Sequence, residues 1–195
     1  PSWNLDAIVL GNGLRIEQSE NLNKIGLNAG GQLDFTLAMK GPISNPDTEL
    51  HGRLSKMIIG GRSEKESQFW LKFNKDSIQG RGKFIGDVVK TEFNIPYQSH
   101  LPMRLYLSTD NWNFTHLFSM FSGTTNQQAY DASLTAQVNL KSEKDWIWGA
   151  DGSLEIKNLL LKRGSNFLQS EKPMSIDVKK GIISTNDFRL EGPSS

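Results

Sequence analysis

One alternating pattern occurs twice in this chain, and it narrows what the chain can fold into. The first copy is Leu33-Asp34-Phe35-Thr36-Leu37-Ala38-Met39-Lys40, then a connector, then Leu50-His51-Gly52-Arg53-Leu54. The second is Leu134-Thr135-Ala136-Gln137-Val138-Asn139-Leu140-Lys141, then a connector, then Gly149-Ala150-Asp151-Gly152-Ser153-Leu154. In both, an apolar residue falls at every second position, the period of a half-buried β-strand. Each copy continues into further strand-like segments in the same order. Lys56 to Ile59 and then Phe69 to Phe73 match Lys157 to Leu161 and then Met174 to Val178. A last strand follows each, reaching Phe84 in one copy and Phe188 and Leu190 in the other. Repeated strand units stack into elongated sheets rather than closing one compact core. The repeats span approximately residues 31–95 and 132–192, with a connector over 110–128.

Between these landmarks the chain reads mostly as strands. Leu5 to Leu10 and Leu14 to Glu17 flank Gly11-Asn12-Gly13, and Asn-Gly between strands predicts a tight hairpin. Leu22 to Leu27 reads as another strand, and Gly41-Pro42-Ile43-Ser44-Asn45-Pro46 as a turn. Strands are expected near Thr48 to Ile59, Gln68 to Phe73, Ile78 to Ile85, Val88 to Ile95 and Met103 to Ser108. One segment breaks the rhythm. Phe114, Leu117, Phe118 and Phe121 have helical spacing, which predicts a short helix over Asp110 to Phe121, capped by Asp110 or Asn111 and ended by Gly123.

Composition removes several function classes. The 22 basic and 21 acidic residues give a net charge of +1, with no electrostatic footprint for nucleic acid. The chain has no Cys, which excludes a disulfide framework, thiol catalysis and thiolate metal sites. His51, His100 and His116 stand apart in sequence, in no metal-ligand spacing. No Gly-x-Ser-x-Gly elbow is present, and the Gly-rich stretches do not open helices, so neither acyl-enzyme chemistry nor phosphate binding is indicated. The expectation is a protein that is not an enzyme and uses no metal or cofactor. No apolar run approaches the roughly 18 residues of a membrane span. The chain starts at Pro1 without Met and stops soon after Gly192-Pro193, so it reads as a single fragment, residues 1–195, of a longer β-repeat protein.

An alternating chain can bury its apolar stripe in a two-sheet sandwich, close it into a barrel, or leave it open on a curved sheet as a binding surface. Periodicity does not choose among these. A common phase does put Leu33, Phe35, Leu37, Met39, Phe69, Leu71, Phe73, Leu105, Leu107, Leu134, Val138, Leu140, Leu154, Ile156, Met174, Ile176 and Val178 on one face. The helical stripe Phe114, Leu117, Phe118 and Phe121 would bury itself over that face or the end of the sheet, as a lid or as a cap.

The order of elements resembles the AsmA-like family of bacterial envelope proteins, the TamB group (translocation and assembly module) among them. The resemblance rests on the Gly41–Pro46 turn with its Asn45-Pro46, the following Gly52-Arg53-Leu54, the run Leu154-Glu155-Ile156-Lys157-Asn158-Leu159, and Pro173-Met174-Ser175-Ile176. The second copy has Ser142-Glu143-Lys144-Asp145 where the first has its Asn-Pro turn. The resemblance implies a mainly β fold, an elongated curved antiparallel sheet of β-taco type with an open hydrophobic groove and one short helix. It implies a periplasmic location, with the whole protein anchored in the inner membrane by a segment outside this chain. It further implies phospholipid or other acyl chains as cargo, passage of lipid between inner and outer membranes, and support of outer-membrane biogenesis with the barrel protein TamA. The alternative is a β-scaffold or chaperone that assists insertion of outer-membrane β-barrel proteins by adding strands at its sheet edges.

Overall fold

A computed structural model describes residues 3–18, 29–59, 61–98, 100–115, 130–143 and 150–192. Fourteen strands of these residues form one antiparallel sheet. They are β1 (Asn4–Arg15), β2 (Ala29–Pro42), β3 (Asp47–Ile59), β4 (Arg62–Glu64), β5 (Ser67–Phe73), β6 (Ser77–Phe84), β7 (Val89–Pro96), β8 (Met103–Asn113), β9 (Tyr130–Ser142), β10 (Asp151–Arg163), β11 (Asn166–Ser170), β12 (Met174–Lys179), β13 (Ile182–Thr185) and β14 (Leu190–Glu191). A single 3-10 turn, Ile16–Gln18, follows β1. The sheet is a meander running β1-β2-β3-β5-β6-β7-β8-β9-β10. Two long strands each serve two partners on one side. The first half of β3 pairs with β5 and its end with β4, while the first half of β10 pairs with β12 and its end with β11. β13 then pairs with β12, and β14 with β11.

The sheet does not close. β1 pairs with β2 alone and β13 with β12 alone, so among the described strands the sheet is an open, elongated one rather than a barrel. Every substantial contact between elements joins neighbours in the sheet, apart from that of the 3-10 turn with β2. No second layer of described residues packs on either face. The accessible surface is 13490 Å², against about 9,300 Å² for a compact monomer of this mass.

Local chemistry explains the connections. Asn74 Oδ1 accepts from the backbone N–H groups of Asp76 (2.9 Å) and Ser77 (2.8 Å), a side-chain-built turn between β5 and β6. Lys180 and Gly181, at φ 49° and 76°, form a two-residue turn of the primed kind that matches strand twist. Pro42 ends β2 and the Ile43–Pro46 stretch turns the chain into β3, as the sequence indicates.

Three sequence expectations change. Gly11-Asn12-Gly13 is not a hairpin. β1 runs through it to Arg15, with one extra residue absorbed as a bulge between Gly11 and Leu14. Gly13 sits at φ 65°, and its N–H donates to Asp34 Oδ1 on β2 at 2.7 Å. Positive φ serves a bulge as well as a turn, and cross-strand partners on β2 for both halves of β1 decide the matter. Secondly, Asp110 to Asn113 do not begin a helix but are the last residues of β8, which pairs with β9 as far as Asn113–Ser133. Cross-strand partners override a helical spacing that only begins to count at Phe114. Asn113 Oδ1 accepts from Thr115 N–H at 3.1 Å, a local side-chain turn just past β8. The rest of the expected helix, with Leu117, Phe118 and Phe121, lies outside the described residues, as does Leu22 to Leu27. Thirdly, the two repeats share connectivity but not register. Gly52 stands opposite Phe35, whereas Gly152 stands opposite Leu140 rather than Ala136.

One contact recurs along the face that carries the apolar residues. Phe35 lies against Gly11, Phe69 against Gly52 and Phe93 against Gly80, each ring filling the space where a Cβ would stand on the opposed glycine. Leu140 covers Gly152 in the same way. The glycines are required by space, and each gives a large neighbour a shallow seat on the bare backbone of the next strand.

Two predictions follow from this packing. Gly52→Ala displaces the Phe69 ring and costs about 1–3 kcal/mol. Combining it with Phe69→Leu costs less than the sum of the two single changes, as a double-mutant cycle by urea unfolding will show. The second concerns Glu17. Its carboxylate accepts from its own backbone N–H, from Gly31 N–H (3.1 Å) and from Arg15 Nε (2.7 Å), which together hold its pKa below the ordinary carboxylate value. A depressed folded pKa stabilises above the unfolded value, and that contribution is lost as pH falls through the folded value. Hydrogen-exchange protection of the Gly31 amide should therefore drop on acidification below about pH 4. In Glu17→Gln it is weaker at neutral pH and lacks that drop.

Candidate functional site

Directly opposed residues of an antiparallel ladder point to the same side of the sheet, so the registers sort every side chain onto one of two faces. One row across the sheet runs Gly11, Phe35, Gly52, Phe69, Gly82, Thr91, Leu107, Val138, Leu154, Ile176. The next runs Val9, Leu37, Leu50, Leu71, Gly80, Phe93, Leu105, Leu140, Gly152, Val178, Ile183. A third contains Met39, Thr48, Phe73, Ile78 and Ile95. Leu33 pairs with Leu54, Leu134 with Trp112 and Leu159, and Ile156 with Ala136 and Met174, all on the same side. The registers thus bring all seventeen apolar residues singled out in the sequence to one face.

Their burial is as informative as their placement. Each of the seventeen is half-buried, none fully buried and none fully exposed. The fully buried residues at ladder positions of this face are mostly small ones shaded by larger neighbours, such as Ser67, Thr109, Ala132 and Ala136. A sandwich or barrel core would take the large side chains below a tenth of their surface. Here they cover one another sideways and stay open above.

Sequence phase missed part of this face. Leu50, Leu54, Ile78, Phe93 and Ile95 belong to it. So do Trp112 and Leu159, which lie beyond bulges at Thr109/Trp112 and Ile156/Asn158, where one extra residue reverses the phase. In β6 the apolar signal is absent because Gly80 and Gly82 occupy the inward positions under aromatic neighbours. Phe114 sits just past β8, its N–H donating to Ala132 O at 2.9 Å and its ring centroid 5.8 Å from that of Trp112.

The opposite face is polar. Asp34 opposes Arg53, Arg81 opposes Glu92 and Lys141 opposes Asp151. Glu49 and Lys72 form a cross-strand ion pair at 3.2 Å. Arg53 makes a bidentate pair with Glu66, and the Arg81 guanidinium lies 5.1 Å from the centroid of the Trp70 ring. Two shallow recesses of about 760 and 950 Å³ open on this face and share Trp70, Arg81, Glu92 and Tyr106. The sequence expectation placed the groove on the apolar side. There the recess found is smaller, about 320 Å³, between Leu161 and Leu168 over Ala132. The apolar face is a broad surface rather than a deep pocket.

His51 is exposed on the polar face between Thr36 and Trp70, and His100 is exposed, while His116 lies outside the described residues. Among the described residues no three His, Asp or Glu side chains gather where a metal ion could sit, and no helix is long and apolar enough to cross a membrane. The chain matches no protein-family model, no curated protein and no solved structure.

The open face predicts the behaviour of a charge placed on it. Leu37 stands between Val9 and Leu50 with nothing described above it. Leu37→Arg should cost about 1–2 kcal/mol in lost packing, short of the roughly 3–5 kcal/mol of an unpaired charge in a closed core. In a domain of this size that is a fall of about 2–8 °C in Tm by calorimetry.

Proposed function

We propose that this chain is a segment of a periplasmic hydrophobic-groove protein that conducts phospholipid between the inner and outer membranes and supports outer-membrane biogenesis. The observation that carries the reading is the apolar face, uncovered among the described residues, which runs from β1 to β13 and leaves its seventeen large apolar side chains half-buried. Exposed apolar surface above a few hundred Å² marks a binding site, and an open strip this long fits something apolar and extended. An acyl chain has that shape and needs no directed hydrogen bonds. The resemblance of the Gly41–Pro46 turn and the Leu154 to Leu159 run to the AsmA-like family supports the same reading. It adds the inner-membrane anchor in a segment beyond this chain and the barrel protein TamA as partner.

On this reading no residue performs chemistry. The face solvates lipid tails while the ion-paired opposite face stays in water. The seventeen apolar residues are the lining, with Phe114 just past the end of β8.

A second reading is a strand-adding scaffold for outer-membrane barrel proteins. Sheet edges that have no partner among the described residues favour it, since such an edge offers backbone donors and acceptors to a client strand.

Mass spectrometry of the purified chain separates the two. A lipid conduit carries co-extracted phospholipid and binds a fluorescent fatty-acyl probe. Leu37→Arg and Val138→Arg, in adjacent rows of the face, each weaken probe binding about tenfold or more while circular dichroism stays unchanged, a loss of about 1.4 kcal/mol. A chain free of lipid that ignores the probe but binds unfolded barrel segments overturns the first reading in favour of the second.

A further inference from the structure

Most charges that oppose one another on the polar face are of opposite sign. Two pairs depart from this. Lys83 stands directly opposite Lys90, and Arg104 directly opposite Lys141. Like charges at opposed positions disfavour the pairing of their strands, yet the sheet keeps both. Asp87 relieves Lys83 at 3.1 Å, but among the described residues Lys90, Arg104 and Lys141 make no ion pair. A local rule broken without compensation inside the fold points to a use outside it. The two pairs lie at opposite ends of one trough. The recesses of about 760 and 950 Å³ meet over Trp70, Arg81, Glu92 and Tyr106, with Lys83 and Lys90 lining the first and Arg104 and Lys141 the second. Strand spacing and rise put the two pairs roughly 17 Å apart. The shared floor and both pairs belong to β5 to β9, in the middle of the sheet and away from its outer edges.

We propose that this trough binds an anionic saccharide chain. One row crosses its floor, with His51, Trp70, Arg81, Glu92, Tyr106 and Asn139 side by side on successive strands. None of the six is aliphatic. The Arg81 guanidinium lies 5.1 Å from the centroid of the Trp70 ring, and Glu92, directly opposite Arg81, makes no ion pair with it. Both groups therefore keep their hydrogen-bonding capacity for a ligand. Sugar hydroxyls donate and accept, and the floor answers both, since Arg81 and Asn139 donate and Glu92 accepts. Sugar rings also carry an apolar C–H face, which packs on aromatic side chains such as Trp70 and Tyr106, half-buried here rather than covered. Acidic groups along the chain meet the cations at the two ends, where the Arg104 fork suits a carboxylate or a sulfate-like group.

The carboxylate between the cation pairs selects among polyanions. A phosphate backbone or a run of acidic side chains needs donors only and would bring negative charge against Glu92. A saccharide uses that carboxylate as an acceptor. The open, extended shape suits a chain rather than a compact small molecule, which is usually enclosed. The trough lies on the face opposite the apolar surface and does not depend on what that surface binds.

Isothermal titration calorimetry at about 0.15 M salt tests this, since weak surface attraction is largely screened there. The probes are hexagalacturonate, a heparin hexasaccharide, neutral maltohexaose, a glutamate homopeptide and an oligothymidylate. Both acidic saccharides should bind, and maltohexaose about tenfold or more weaker. Lys90→Gln combined with Arg104→Gln weakens the acidic saccharides about tenfold and leaves maltohexaose unchanged, with unaltered circular dichroism. Tyr106→Ala weakens both acidic saccharides about tenfold while binding of a fatty-acyl probe stays as it was. Should Tyr106→Ala unfold, the exposed charge variants decide the matter by themselves. Failure of both acidic saccharides to bind overturns the proposal, as does undiminished binding of them by the charge variant. Binding of the glutamate peptide or the oligothymidylate as tight as that of the saccharides overturns it too and assigns the trough to a polyanion of another class.

Discussion

The structure depends on side-by-side contact within a single layer. With no second described layer on either face, each strand is held by its two neighbours through the backbone ladder and through same-face side chains. The seating of Phe35, Phe69 and Phe93 on Gly11, Gly52 and Gly80 is the strongest form of that contact. A ring laid on a glycine buries its lower face against backbone and neighbouring side chains while its upper face stays open. Apolar area is thereby removed from water without a covering sheet. The cost is that each strand depends on the next, so stability is a sum of nearest-neighbour terms rather than the property of one core.

The two faces divide the work. On the polar side, opposed charges such as Glu49 and Lys72, and the bidentate Arg53–Glu66 pair, are solvent-exposed and contribute little stability, but like charges directly opposed would disfavour a shifted register. A one-residue slip would also carry every apolar side chain to the polar face, so the alternation specifies the register as strongly as it specifies the strands. Bulges at Gly11/Leu14, Gly30/Gln32, Thr109/Trp112 and Ile156/Asn158 let the sheet bend without losing this two-sidedness, because each reverses the phase of one strand at a place where its neighbour continues.

An elongated sheet with one uncovered apolar face is physically incomplete in water. Something apolar lies on it, something extends it at its edges, or both. The proposed function assigns the face to acyl chains, which need no directed hydrogen bonds from it.

Period-two alternation determined most of the strands and, through their phase, which seventeen apolar residues share a face. This was legible because side-chain direction along a strand depends on nothing beyond the strand itself. Three things were decided only in three dimensions. Asn12-Gly13 became a bulge rather than a hairpin because β2 offers partners to β1 on both sides of it. Asp110 to Asn113 became strand because β9 pairs with Trp112 and Asn113 beyond a bulge at Asp110 and Asn111, although local spacing favoured a helix. Gly80 and Gly82 belong to the apolar face although they carry no side chain, since the apolar groups that fill those positions come from neighbouring residues. Local sequence sets the direction of each side chain, but which strands stand beside it, and whether anything lies above it, are set by contacts between residues far apart in the chain.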